Sequence, residues 1–266
     1  MVRRGVGSNQ YKTQVGVADP PAAGDLVAQV WGLNRIQRLR VAENPNTPPD
    51  ILTQLAGDKD VYVRWGVAAN PNTPPDTLVQ LAGDKRERVR YGVAKNPNTP
   101  PDTLTQLTGN ISLSVQRAVA GNPNTPVDTL TQMVGYLWQV RQAVAGNHST
   151  PVDTLVQLAR DKNWHVRQAV AGNPNTPSDT LVQLAGDKNA NVHWWVAGNP
   201  NTPADTLVQL AGDKNTDVRW GVAENPNTPA DTLVQLTGDK RERVSSAAWE
   251  NTNLPEEYRA LAQLAQ

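Results

Sequence analysis

The sequence predicts an all-α fold: a right-handed α–α superhelix, or solenoid, built from two-helix repeats of 26 residues. Two observations carry that prediction. The phrase Asn-Pro-Asn-Thr-Pro or a close variant returns at a fixed step, with its leading asparagine at Asn44, Asn70, Asn96, Asn122, Asn147 (one residue short), Asn173, Asn199, Asn225 and a degenerate Asn251. Within each step, two short apolar-periodic segments are separated by helix-breaking residues. A period of 20–50 residues marks units that cannot bury their apolar faces alone and must stack on their neighbours.

The stretch Thr47 to Asn70, TPPDILTQLAGDKDVYVRWGVAAN, shows how one unit is written. Thr47 reads as a helix N-cap, with Pro48 at the first helical position, where a missing N–H costs nothing. Asp50, three residues after the cap, resembles the acidic partner of a capping box and suits the positive end of the helix dipole. Ile51, Leu52, Leu55 and Ala56 then fall on one helical face, and Gly57 is expected to stop the helix. The first helix is thus placed at 48–57. A second helix is placed at 61–69, with Val63, Val67 and Ala68 as its apolar stripe. Asn70-Pro71 ends it, because a residue before proline is pushed out of the α region. Neither helix is long enough to be stable alone.

In chain order, residues 1–24 read as a flexible N-terminal leader and 25–47 as a degenerate N-terminal capping repeat. Residues 48–251 read as eight tandem repeats and 252–266 as a C-terminal capping helix with a polar outer face. The fourth repeat, GYLWQVRQ, lacks one residue and the Asp-Lys pair, and the third reads GNISLSVQR. A change of superhelical pitch is expected between Asn110 and Val140.

The pattern Leu-x-x-Leu-Ala-x-Asp, then Val-Arg-x-x-Val-Ala-x-Asn-Pro-x-Thr-Pro, resembles the leucine-rich variant repeat over about residues 26–251. That resemblance implies a fold akin to HEAT and armadillo solenoids rather than a β-strand horseshoe. It also implies a pair of helices of which the second can be 3₁₀, a binding or scaffold role, and no common catalytic site. In HEAT-like stacks the second helix lines the concave side, and an Asp/Arg ladder is common.

Comparing the repeats with one another separates framework from surface. Leu52, Leu78, Leu104, Leu130, Leu155, Leu181, Leu207 and Leu233 form one constant column. Val63, Val89, Val115, Val140, Val166, Val192, Val218 and Val244 form another, and both read as core. The asparagine column reads as structural, its amides serving buried backbone at the turn between repeats. Asp58, Asp84, Asp161, Asp187, Asp213 and Asp239, with Arg64, Arg90, Arg141, Arg167 and Arg219, read as two charged ladders. There each Asp caps the second helix and pairs with an arginine between repeats.

Four other columns vary sharply, at i, i+3, i+4 and i+7 of the second helix, a single helical face. They hold Tyr62, Arg88, Ser114, Gln139 and His165; Trp65, Tyr91, Arg117, Gln142, Gln168, Trp194 and Trp220; Gly66, Gly92, Ala118, Ala143, Ala169, Trp195, Gly221 and Ala247; and Lys95, Glu224 and Glu250. Unconstrained drift would favour Lys, Glu, Ser and Ala. Trp, Tyr, Arg, Gln and His are instead the residues of interface hot spots. Tyr62, Trp65, Arg88, Tyr91, Arg117, Gln142, His165, Gln168, Trp194, Trp195 and Trp220 are therefore the candidate partner-binding residues. They are expected to form two aromatic patches with a polar stretch between them.

Composition narrows the chemistry. The 25 basic and 25 acidic residues cancel, so nothing draws the chain toward nucleic acid or an anionic membrane. There is no cysteine, which removes disulfides, thiolate catalysis and cysteine-ligated metals. The three histidines, His148, His165 and His193, share no metal-ligand spacing. No phosphate loop, nucleophile elbow or paired carboxylate is present.

The expected function is a non-enzymatic scaffold recognising a protein or peptide, with no cofactor, no metal, no small-molecule substrate and no membrane partner. A cytoplasmic, monomeric chain is expected. The alternative partner is nucleic acid, with Arg64, Arg90, Arg117, Arg141, Arg167 and Arg219 on phosphates and Trp65, Trp194 and Trp220 stacked on bases. A third reading is an engineered consensus-type repeat scaffold.

Overall fold

A computed structural model describes residues 29–264; the expected leader, 1–24, lies outside them. Helices alternate between two sets. The first helices are α2 (Pro49–Leu55), α4 (Pro75–Ala82), α6 (Pro101–Leu107), α8 (Val127–Gln132), α10 (Val152–Leu158), α12 (Ser178–Ala185), α14 (Ala204–Leu210), α16 (Ala230–Thr237) and α18 (Glu256–Leu264). The second helices are α1 (Arg35–Glu43), α3 (Val61–Ala69), α5 (Glu87–Lys95), α7 (Leu113–Ala120), α9 (Trp138–Gly146), α11 (Trp164–Gly172), α13 (Ala190–Gly198), α15 (Thr216–Glu224) and α17 (Glu242–Glu250). All are α-helical, so the second helix is not 3₁₀. Among the described residues there is no strand. The expected second helix, 61–69, matches α3. The first is shorter than the expected 48–57, because its last residues turn with i→i−3 bonds, Gly57 N to Gln54 O and Asp58 N to Leu55 O.

Both core columns are fully buried in every repeat. The second helices also bury a further valine and alanine, as Val67 and Ala68 in α3, and pack on each other along their lengths, whereas successive first helices scarcely touch. Small residues make that approach possible. A Cβ on Gly92 would lie 2.9 Å from the Ala68 Cβ, and one on Gly221 3.2 Å from the Ala197 Cβ.

The asparagine column is the polar spine of this contact. Asn70 Nδ2 donates to Ala42 O and Asn44 O of the preceding repeat, both at 2.8 Å, and its Oδ1 accepts from Asn72 N. The acceptors are carbonyls at the end of a second helix, which have no partner within it. The same bonds recur from Asn96 to Asn251. The second asparagine of the phrase adds another tie, Asn72 Nδ2 to Pro45 O. Where the fourth repeat is one residue short, α8 runs into a 3₁₀ turn, Met133–Gly135, and Asn147 still reaches Ala120 O and Asn122 O.

Three local readings are corrected. Threonine does not cap the first helix: the N-cap residue is Pro48, Pro74 or its equivalent, with no side-chain cap bond. Thr73 is instead buried and its Oγ1 donates back to Val67 O at 2.5 Å, closing the end of the preceding second helix. With no threonine cap, the capping box with Asp50 does not form either. The expected stop at the glycine is made without a left-handed residue: no described residue has positive φ, and Gly83, the C-cap of α4, sits at φ −85°, ψ 3°. The Asp of the ladder does not cap the second helix. It sits two residues before the N-cap and accepts from that residue's N–H, as Asp58 Oδ1 does from Asp60 N, while Asp60 itself caps α3 through Tyr62 N and Val63 N.

Candidate functional site

The pairing of the two ladders determines which charges are left for a partner. Arg64 Nε donates to Asp84 Oδ2 of the next repeat at 2.6 Å, and its Nη1 donates to Asp58 O of its own repeat. Arg38–Asp58, Arg141–Asp161, Arg167–Asp187 and Arg219–Asp239 repeat the arrangement, with His193–Asp213 standing in once. Burial pushes the Asp84, Asp161 and Asp187 carboxyls up. The hydrogen bonds from their arginines and from one backbone N–H each outweigh it and hold them below the ordinary carboxylate value. At Asp239 the Arg219 hydrogen bond is the largest influence, with the same result. Arg64, Arg141, Arg167 and Arg219 are thus committed to the framework and do not form a phosphate-binding stripe, which corrects the nucleic-acid alternative.

The ladder breaks where Asn110 and Tyr136 replace Asp. Arg90 keeps its bond to Asp84 O, but its Nε is buried without a partner. Gln116 takes the arginine's place by donating to Asn110 O.

The variable face of the second helices lines a groove of four adjoining clefts. The first, about 770 Å³, is walled by Glu87, Arg88, Tyr91, Lys95, Ser114 and Arg117. The second, about 390 Å³, shares Arg117 and Ala143 with it and adds Gln139, Gln142 and Gln168. Trp195 and Gly172 join the second to a third of about 310 Å³, where Trp194, Trp195, Trp220 and Glu224 meet over Pro174, Pro200 and Pro226. Glu224 and Pro226 lead into the last, beside Glu250. Eight of the eleven predicted residues, Arg88, Tyr91, Arg117, Gln142, Gln168, Trp194, Trp195 and Trp220, therefore share one continuous groove.

The other three line none of these clefts. Tyr62 lies between the guanidinium groups of Arg35 and Arg88, at 5.2 and 5.0 Å from its ring centroid. Trp65 has Arg88 at 4.6 Å. His165 is stacked between Trp138 and Trp164, with centroids at 5.0 and 3.6 Å.

Exposure differs from the sequence reading. Trp65, Trp194 and Trp220 are half-buried and pack on the core, rather than standing free in solvent. A Cβ on Gly92 would lie 3.2 Å from Trp65 Cδ1, and one on Gly221 3.4 Å from Trp194 Cδ1. Each ring thus covers a glycine of the next repeat. The column of Gly66, Gly92, Ala118 and Gly221, grouped by spacing with the exposed face, is buried where successive second helices meet. Ala143 and Ala169 of the same column are half-buried, and Trp195 is exposed. Its ring lies across Gly172 of the preceding repeat and stays 38% exposed.

Sequence reasoning missed Glu87 as a groove residue, and noted Ser114, Gln139, Lys95, Glu224 and Glu250 as variable without choosing them. It also missed the prolines of the constant phrase, which form part of the floor. The signal for Trp65 and Trp194 was available: each is followed one repeat later by glycine where other repeats mostly carry alanine.

Among the described residues no three potential ligands gather for a metal ion, and no helix is long and apolar enough to cross a membrane.

A family model described as leucine rich repeat variant matches residues 38–60, 63–85, 138–163, 164–189 and 216–240. The unmatched stretches include 86–137 and 190–215, which carry Arg88, Tyr91, Arg117, Trp194 and Trp195. A solved structure described as a leucine-rich repeat variant with a novel repetitive protein structural motif is 25% identical, over 76% of this chain and 81% of its own, at a TM-score of 0.53. YibA of Escherichia coli is 19% identical over 87% and 85%, with a TM-score of 0.40. Computationally designed armadillo repeat proteins for modular peptide recognition are 12% identical over 84% and 95%, at 0.20. The last two superpose too loosely to argue from. No curated protein matches the chain at a significant level.

Proposed function

We propose that this chain, which belongs to the leucine rich repeat variant family, is a non-enzymatic scaffold that holds an extended segment of another protein in the groove along its second helices. One observation carries the reading. The groups that join the repeats are copied and mostly satisfied within the chain, while the groove wall differs from repeat to repeat. The core columns, the Asn amides and most Asp/Arg pairs have partners inside the molecule. Among the described residues, Arg88, Lys95, Arg117, Glu224 and Glu250 form no ion pair. Charges outside the ladder pairs, lined up with aromatic rings along one groove, are suited to recognition.

An extended occupant fits the dimensions. Helices stack about 8–10 Å apart. A groove crossing several second helices is therefore tens of ångströms long, a span filled by roughly ten residues of extended chain at about 3.3 Å each.

The test is a photo-crosslinking side chain at Gln142, in the groove, against the same group at Val182, exposed on first helix α12. The groove position is expected to capture a discrete protein that the outer position does not. Equal capture at both positions, or capture at neither, refutes the reading.

A further inference from the structure

We infer that the cleft of Trp194, Trp195, Trp220 and Glu224 is a receptor for an arginine or lysine side chain of the bound segment. The inference rests on the groove being the protein-binding surface and says which chemistry one part of it selects.

The first observation is how this face treats its other aromatic rings. Tyr62 and Trp65 are covered by the guanidinium of Arg88. Trp220 carries Arg243 at 3.7 Å from its centroid, held there by Asp217 at 3.0 Å. Trp138 and Trp164 hold the His165 ring between them. The exceptions are Tyr91, which lies in the basic first cleft, and the Trp194–Trp195 pair. The two rings of the pair meet edge to face, 5.1 Å apart at 66°, and among the described residues no arginine or lysine lies over either. Arg243 is not part of the cleft wall, so its hold on Trp220 leaves the cleft open.

The second observation is charge. Among the described residues Glu224 is the only ionisable one in the wall of this cleft, and the cleft that follows it adds only Glu250. Neither carboxylate is ion-paired, although most acidic residues of the ladder are. One unpaired carboxylate among three indoles, with a second carboxylate in the next cleft, favours a cation. The ring quadrupoles attract it, and partial desolvation among tryptophans strengthens that attraction. A carboxylate or phosphate would meet only repulsion.

The opposite end of the groove has the reverse character. Arg88, Lys95 and Arg117 wall the first cleft against a single acid, Glu87, which accepts a hydrogen bond from Ser112. A segment with its basic residue on the tryptophans and its acidic residues toward Arg117 matches the groove along its length. The reversed segment does not.

The experiment is display of random dodecapeptides on the full chain. An enriched peptide is then synthesised and titrated by calorimetry against the wild-type chain and Glu224→Gln. Glu224 is exposed and makes no bond in the fold, so the variant keeps its structure. Enriched peptides are expected to share an arginine or lysine, and Glu224→Gln is expected to weaken them roughly tenfold. Replacing the shared basic residue by norleucine should remove the sensitivity to Glu224→Gln. Enriched peptides that lack a basic residue, or that bind Glu224→Gln as tightly as wild type, overturn the cation assignment and leave the groove as a protein-binding surface. Failure to enrich any peptide overturns both.

Discussion

Asn110→Asp should stabilise this protein, although it adds a charge. Arg90 is a ladder arginine with its Nη1 on Asp84 O, yet its Nε is buried with no acceptor, because residue 110 carries an amide where other repeats carry a carboxylate. In the intact rung, Arg64 Nε meets Asp84 Oδ2 at 2.6 Å, with side chains only 18% and 9% exposed. Asn and Asp have the same shape. Asn110 Oδ1 already accepts from Ser112 N, as Asp84 Oδ1 does from Arg86 N. The substitution therefore leaves the turn intact and turns the other side-chain atom into an acceptor. A hydrogen bond between charged groups contributes about 1.5–3 kcal/mol. Desolvating the new carboxylate, and the like charge of Glu87 close to Ser112, reduce that. The net gain is about 1–2 kcal/mol.

A repeat array need not unfold in one step. The readouts are therefore the urea midpoint and amide exchange within α5 and α7, both of which should report greater stability. The decisive control is Arg90→Met. In a double-mutant cycle, most of the gain should vanish when Arg90 is absent. A gain that persists without Arg90, or no gain at all, refutes the unpaired-rung argument.

The remaining expectations address other parts of the framework. Thr176→Ala should cost about 1–2 kcal/mol, because the buried hydroxyl donates to Val170 O at 2.5 Å; Thr176→Ser should recover most of it, and an equal loss in both variants would assign the cost to the methyl group. Gly172→Ala should expose Trp195 to acrylamide or destabilise the chain by about 1–3 kcal/mol, since the added carbon would lie 2.5 Å from the indole. Gly198→Ala, at the same place in the next repeat with nothing within 4 Å, should be neutral or stabilising; identical behaviour of the two would contradict the placement of Trp195. Asp84, Asp161, Asp187 and Asp239 titrate below their ordinary value of 3.8 when folded, so the unfolded chain binds more protons at acid pH. Their contribution is complete above that value and disappears as pH falls through the lower folded values; stability that is flat from pH 5 to pH 2 would refute it.

The second helices and the core were legible because their signals are local and repeated. Asn-Pro stops one helix, and the Leu and Val columns recur in register, so residues 61–69 and both columns were found as they stand. The threonine was misread because the cap rule looks forward along the chain, whereas Thr73 bonds backward to Val67 across the turn. Nothing in the next three residues records that partner. The ladder arginines looked available because a periodic arginine looks the same whether it faces solvent or a carboxylate of the next repeat. The varied face was found as a set of columns. Its depth was not, since helical spacing orders residues around an axis without saying how closely the next helix approaches. That approach buries Gly92 and Gly221 and half-buries Trp65 and Trp194.

The division of labour among charges explains how the groove can vary without cost to the fold. Most of the ladder's charge is neutralised in pairs inside the stack, so the net charge of zero describes the framework and says little about the groove. Exchanging Arg88, Arg117 or Glu224 breaks no ion pair and leaves no buried acceptor without a donor, so such changes should fall within the small range of ordinary surface substitutions. Exchanging Arg167 or Asn173 would leave buried partners unsatisfied in two repeats at once. The tryptophans stand between these cases. Trp65 and Trp194 are half-buried on the core yet available at the surface, and each needs glycine one repeat later. A ring placed like Trp65 or Trp194 therefore requires that two neighbouring repeats change together, whereas Trp220 and Tyr91 stand before Ala247 and Ala118. That coupling constrains Trp65 and Trp194, while the polar positions between them, such as Gln142 and Gln168, are free to change one at a time.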